Sequence, residues 1–187
     1  MKRSFGFTLL ELLIAITIVI IIAFTAAPKF LNLQSDARKA TLEATKAAMV
    51  SAFDLFALES QIPSSDIVEI NGISYMVIDD YHIRINDYYG DYPNRYPLFS
   101  PVEFGKEPYG LIALKAIMEI EASDSLGMGD DNFNYIYDTN WGFIIFSKND
   151  DYTNSKCYLQ YAPDQQFFYI DDLPDDQGYF HIVTSGC

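Results

Sequence analysis

The sequence predicts an α+β chain, with one long N-terminal helix followed by a small antiparallel β-sheet head. Two observations carry this. Residues 7–27 are apolar apart from Glu11 and three threonines, and apolar residues continue beyond them at spacings of three and four as far as Leu58. From Ile67 onward the apolar residues gather mostly into short β-branched or aromatic runs, punctuated by Asn, Asp, Gly and Pro. Their close spacing suits antiparallel strands better than helical crossovers.

The helix begins behind a short basic leader, Lys2-Arg3-Ser4-Phe5-Gly6, and opens as Phe7-Thr8-Leu9-Leu10-Glu11. At about 1.5 Å per residue, an apolar run of about 20 residues spans a bilayer core of about 30 Å. Glu11 is the one charge inside it, and a carboxylate at membrane depth costs roughly 2.5–3.5 kcal/mol on insertion scales. A cleaved secretory signal is shorter, and the best small-x-small site here, Thr25-Ala26-Ala27, is followed by Pro28. A plain single-pass anchor explains the length and the basic flank, which stays cytoplasmic under the positive-inside rule. It explains neither Gly6-Phe7 nor Glu11.

Gly6-Phe7-Thr8-Leu9-Leu10-Glu11 resembles the prepilin cleavage and methylation motif of type IV pilins and type II secretion pseudopilins, with the expected basic leader before it and long apolar helix after it. The resemblance implies cleavage between Gly6 and Phe7 by prepilin peptidase, and N-methylation of the new Phe7 amine. It also implies pairing of Glu11 with the Phe7 amine of a neighbouring subunit during assembly. An ammonium beside Glu11 offsets two desolvation costs at once.

The chain has 187 residues, half of them hydrophobic, with 12 basic and 26 acidic residues and a net charge of −14. That balance argues against nucleic acid and against adsorption of the head to anionic lipid. Fourteen Tyr and fourteen Phe are too many for a disordered acidic tail. The two cysteines, Cys157 and Cys187, read as a disulfide in an exported head. Closing that loop stabilises by roughly 3 kcal/mol in the chain-entropy model.

Beyond Pro28, Leu33, Ala37, Ala40, Ala44, Ala48, Ser51, Leu55 and Leu58 form the helical stripe, while Lys39, Glu43 and Lys46 can pair along an exposed face. One helix from about Phe7 to about Leu58 is expected, kinked or loosened at Pro28. Its second half packs on the head, and the small stripe suits a sheet or other helices. The segment Thr25–Thr41 is similar to the corresponding helix of mannose-sensitive haemagglutinin (MSHA) type pilins. So is the end of the chain, Cys157-Tyr158-Leu159-Gln160-Tyr161 and Thr184-Ser185-Gly186-Cys187. The likeness covers the first 40 or so residues and the terminal Cys frame; the middle is divergent and acidic. The resemblance implies the type IV pilin fold, with a transmembrane first half of the helix. The divisions are then a leader at 1–6, a transmembrane or filament-core helix at 7–28, an amphipathic half at 29–60 and a periplasmic or extracellular head at 61–187.

Within the head, Ile62-Pro63 stops the helix. Ile67–Val77 reads as a hairpin about Asn71-Gly72, a pair suited to a type I′ turn. Asp79–Pro101, rich in Tyr, Asp, Asn and Pro, is expected to be a long surface loop. Pro108 suits a first helical turn, and a helix follows from about Tyr109 to Ala122. Strands are expected at Phe133–Tyr137, Phe143–Ser147, Tyr158–Tyr161, Phe167–Ile170 and Phe180–Val183.

No catalytic constellation stands out. His82 and His181 lie far apart in sequence and read as surface or edge residues. The carboxylate pairs, Asp79-Asp80 and Asp150-Asp151 among them, read as solvated turns. A calcium site is the sharper reading of Asp171, Asp172, Asp175 and Asp176, with Asp130, Asp131 and Asn132 second; none fits the twelve-residue calcium loop. The chain is thus expected to be a non-enzymatic subunit without a cofactor, calcium apart. The resemblance implies that it polymerises with other pilin subunits into an adhesive filament. It implies a single-pass inner-membrane precursor, handled by prepilin peptidase and the pilus assembly machinery of a Gram-negative bacterium. The alternatives are a type II secretion pseudopilin, whose major members usually lack the terminal Cys frame, and a membrane-anchored periplasmic binding protein or enzyme.

Overall fold

The computed structural model describes residues 8–63, 65–87, 95–100, 109–124, 131–138, 142–148, 150, 152–163 and 179–187. Helix α1 (Leu9–Glu59) is 51 residues long and its helical backbone runs without interruption through Pro28. The chain divides into two compact units, Met1–Ala40 and Thr41–Cys187. In the second, residues 41–59 of α1 pack with two sheets. The first sheet has the order β1 (Ile67–Ile70), β2 (Ile73–Ile78), β3 (Tyr81–Ile85), β4 (Pro97–Leu98), each antiparallel to the next. Helix α2 (Tyr109–Ile117) follows. The second sheet has the order β5 (Ala122–Asp124), β6 (Phe133–Asp138), β7 (Gly142–Ser147), β8 (Tyr158–Tyr161), β9 (Phe180–Val183). A four-residue helix, α3 (Tyr152–Ser155), lies between β7 and β8.

The Asn-Gly hairpin forms where the sequence places it. Asn71 and Gly72 have φ of 54° and 77°, the left-handed pair a type I′ turn requires, and Ile70 faces Ile73 across it. The expected Asp79–Pro101 loop does not hold: it contains β3 and β4, and residues 97–100 are buried. Alternating Ile83 and Ile85 fill the core, a period-two signal outweighed in the sequence by the flanking Asp and Tyr. The second helix ends at Ile117 rather than Ala122, which instead enters β5 and pairs parallel to β6. Among the described residues the head thus has two sheets, with one parallel pair in an otherwise antiparallel arrangement. The expected strand Phe167–Ile170 lies outside the described residues.

The core is aromatic. Phe53, fully buried, has ring centroids of Phe99, Tyr161 and Phe180 within 5.8 Å of its own, at 5.8, 5.0 and 5.3 Å. Phe99 continues to Phe143, and Phe143 to Tyr135 and Tyr161. Two buried hydroxyls in this core, those of Tyr161 and Tyr109, carry hydrogen bonds that fix one element to another. Tyr161 donates to the Pro97 carbonyl at 2.9 Å, tying β8 to β4. Tyr109 accepts from the His82 amide and donates to the His82 carbonyl, at 2.9 and 2.7 Å, tying α2 to β3.

Candidate functional site

The face that α1 turns to the head differs from the sequence stripe. Leu42, Met49, Phe53 and Phe56 are buried, spaced by seven, four and three residues. Ala44, Ala48, Ser51, Leu55 and Leu58 are exposed, Leu55 by 66% and Leu58 by 62%. Residues 41–59 therefore carry two apolar faces: a bulky one buried in the head, and a narrower one exposed. Periodicity marks both equally; side-chain volume decides which is buried, because large aromatic rings bury the most apolar area.

In the first unit the helix is uncovered. Leu9–Ala27 is long and apolar enough to cross a membrane, and none of it is buried. Its threonine hydroxyls are satisfied within the helix. Thr17 and Thr25 donate their hydroxyls to the carbonyls of Ile14 and Ile22, at 2.8 and 2.9 Å, which removes the penalty of a bare hydroxyl in hydrocarbon. Thr8 caps the helix: its Oγ1 accepts from the Glu11 amide at 3.3 Å, and its carbonyl accepts from the Leu12 amide. Glu11 stands in the first turn, where a carboxylate is favoured by the exposed amide ends. Threonine followed three residues later by glutamate is a capping-box spacing. Gly6 and Phe7 lie outside the described residues.

The far end of α1 is closed by a residue the sequence gave no reason to single out. Arg95 donates from Nε to the Ser60 hydroxyl and from Nη2 to the Ser60 carbonyl, both at 2.7 Å. The last turn of α1 holds no basic residue of its own, so Arg95 supplies the cation that its carbonyl end favours. Nearby, Tyr96 donates to the Asp54 carboxylate, and burial together with that carboxylate pushes its hydroxyl well above the usual phenol range.

The chain end is a closed frame. Cys157 and Cys187, at a sequence separation of 30, are joined by a disulfide with Cα atoms 4.8 Å apart. Gly186 passes directly over the Ser155 carbonyl, where a Cβ has no room, and its amide donates to the Lys156 carbonyl. This explains a glycine beside the last cysteine without invoking a positive φ.

Other candidates from the sequence fare differently. Asp171, Asp172, Asp175, Asp176 and Asp130 lie outside the described residues. Asp131 pairs with Lys115 at 3.3 Å, and Asn132 donates to Glu121. Among the described residues no three metal-binding side chains come together. His181 lies on β9, the edge strand of its sheet among the described residues, but it is 2% exposed, so its reading as a surface residue does not hold. An open groove in the head is lined by Glu43, Lys46, Ala47 and Val50 of α1 with Ile182 and Thr184.

Residues 1–27 match the family model of the prokaryotic N-terminal methylation motif. The chain is also similar to the type IV narrow pilus major component PilA5 of Thermus thermophilus, at 40% identity over 70 residues. That likeness covers 37% of this chain and 60% of the relative. No solved structure matches. The described part of the matched stretch takes in the Thr8 cap, Glu11 and the uncovered apolar helix as far as Ala27.

Proposed function

We propose that this chain is a structural subunit of a type IV pilus of the MSHA kind, polymerising through its N-terminal helix into an adhesive surface filament. The observation that carries the proposal is a 19-residue apolar helix, entirely unburied, behind a prepilin-type methylation motif. The precursor is a single-pass inner-membrane protein. Peptidase cleavage between Gly6 and Phe7 exposes the Phe7 amine, which is N-methylated and pairs with Glu11 of a neighbour. Sheltering large apolar side chains from water, at roughly 1.5–3 kcal/mol each before ordering costs, holds the polymer together outside the membrane. The likeness to a Thermus pilus component supports this reading, and the Cys157–Cys187 frame favours a pilin over a pseudopilin.

Mass spectrometry of the mature N-terminus is the first test. N-methyl-Phe7 is expected, and an intact Met1 refutes the reading. Electron microscopy of sheared cell surfaces then separates long pili from short periplasmic pseudopili. Glu11→Ala should leave membrane insertion intact and depress filament yield, whereas normal filaments from that variant exclude the amine pairing.

A further inference from the structure

Tyr96 and Tyr179 belong to different sheets of the head and meet side by side. Tyr96 immediately precedes β4, and Tyr179 immediately precedes β9. Their ring centroids lie 5.5 Å apart, edge to face at 60°, and both side chains are half-buried. Edge-to-face rings at that separation already have carbon atoms in van der Waals contact.

The Tyr96 hydroxyl donates to the Asp54 carboxylate of α1. Two other phenols of the head are held differently. Tyr161, fully buried, donates to the neutral Pro97 carbonyl, and Tyr109 exchanges hydrogen bonds with the His82 backbone. A carboxylate can take a proton where a peptide carbonyl cannot. A phenol that loses an electron becomes a strong acid, and its radical persists only once the proton has gone. Tyr96 therefore has its base in place, within hydrogen-bond reach, and a second phenol in contact with its ring.

We propose that Tyr96 and Tyr179 form a site of oxidative modification, joined into dityrosine when the head meets a one-electron oxidant driven by a peroxide. Loss of one electron from Tyr96 sends its phenolic proton to Asp54 and leaves a neutral phenoxyl radical. Loss of one electron from Tyr179 makes the same radical there, and its proton goes to water. The two radicals form a carbon–carbon bond between ring carbons ortho to their oxygens, and each ortho hydrogen then moves to its own oxygen, restoring both phenols. Two electrons and two protons have left the protein. The peroxide takes the electrons as its O–O bond breaks; with hydrogen peroxide the two protons complete two waters. Ring contact replaces a chance encounter of two radicals with a reaction between neighbours.

The bond would hold β9 at the end opposite the disulfide, since Cys187 lies beyond Val183 and is tied to Cys157. A thiolate opens a disulfide by attack on sulfur, and a carbon–carbon bond offers it no such target. The head so linked keeps β9 fastened after reduction. This chemistry belongs to the head alone and is independent of the pilus reading.

The full chain, dilute and in detergent, is illuminated with ruthenium tris-bipyridine and persulfate, itself a peroxide. The expected product has the blue fluorescence of dityrosine, an intact mass lower by two hydrogen atoms, and no dimer on a denaturing gel. After reduction and digestion with trypsin, which cuts after Arg95, Lys106 and Lys156, peptide 96–106 is expected joined to peptide 157–187, with fragmentation placing the bond at Tyr96 and Tyr179. Tyr96→Phe and Tyr179→Phe are each expected to abolish the joined peptide, and near-UV circular dichroism confirms that they fold. Asp54→Asn, whose amide accepts a hydrogen bond but takes up no proton, is expected to slow its appearance. Under reducing conditions the linked chain is expected to melt about 10 °C above the unlinked one, because the loop it closes is more than twice as long as that of the disulfide.

A bond found only between other tyrosines, such as Tyr152 and Tyr158 with rings 6.3 Å apart, overturns the proposal. So does a joined peptide that survives either Phe substitution, or oxidation that yields only covalent dimers or oxygen-bearing tyrosines. An unchanged rate from Asp54→Asn overturns the part assigned to the carboxylate, and an unchanged melting midpoint overturns the fastening of β9.

Discussion

Replacing Phe53 with alanine should unravel the attachment of α1 to the head, whereas replacing Leu55, two residues on, should barely register. Phe53 is fully buried, ringed by Phe99, Tyr161, Phe180 and, at 6.0 Å, Tyr96. Its neighbours sit on three separate stretches of chain, so they cannot collapse together into the space it leaves. A Phe→Ala change in such a site costs about 3–5 kcal/mol, the upper part applying where the cavity stays open. Against a total stability of about 5–15 kcal/mol this is a large fraction. At about 2–4 °C per kcal/mol for a chain of this size, the melting midpoint should fall by about 10 °C. Leu55 is 66% exposed, and Leu55→Ala should change stability by no more than about 0.5 kcal/mol. The assay is thermal and guanidinium unfolding of the full chain in detergent, followed by near-UV circular dichroism. Equal losses from the two variants, or a larger loss from Leu55→Ala, would show that the sequence stripe faces the head after all and refute the assignment of faces.

Three further outcomes follow from the geometry. Arg95→Ala removes two charge-assisted donors from the Ser60 turn and should cost about 1.5–3 kcal/mol, read in the same unfolding assay, with the Lys variant recovering only part. Reducing or removing the Cys157–Cys187 disulfide, which closes a loop of 30 residues, should cost between about 3 and 4 kcal/mol in the chain-entropy model, seen as an earlier denaturation midpoint. The head should also be sensitive to alkali: burial raises the phenols of Tyr135 and Tyr161 above their unfolded value of 10.0. Above that pH the unfolded chain releases these protons and the native one holds them. Their contribution is therefore fully present below pH 10 and is lost as pH rises toward the folded values, by about 1.4 kcal/mol per pH unit for each. Tyr135→Phe should flatten this slope, at little expense, because its hydroxyl has no hydrogen-bond partner among the described residues; an unchanged slope would exclude Tyr135 as a contributor.

What the sequence determined by itself is what nearest neighbours along the chain control. The length and greasiness of Leu9–Ala27 and the Asn71-Gly72 turn are local, and both were legible; the Thr8 cap three residues before Glu11 is local too, though only the structure drew attention to it. So were the bounds of β8 and β9, set by turn residues and aromatic runs. The tertiary structure alone decided the rest. Two apolar stripes share residues 41–59 of α1. The buried one is chosen because strands remote in sequence build a slot that Phe53 fills and Leu55 does not. β3 and β4 hide inside a polar, Tyr-rich stretch because a strand of five residues needs only two buried isoleucines once a neighbour supplies the hydrogen bonds. Arg95 meets the end of α1 across 35 residues of chain, a distance at which no periodicity signals the encounter. Local chemistry fixes which segments are helix, turn and strand end; which of their faces are covered depends on volumes and partners brought together only by folding.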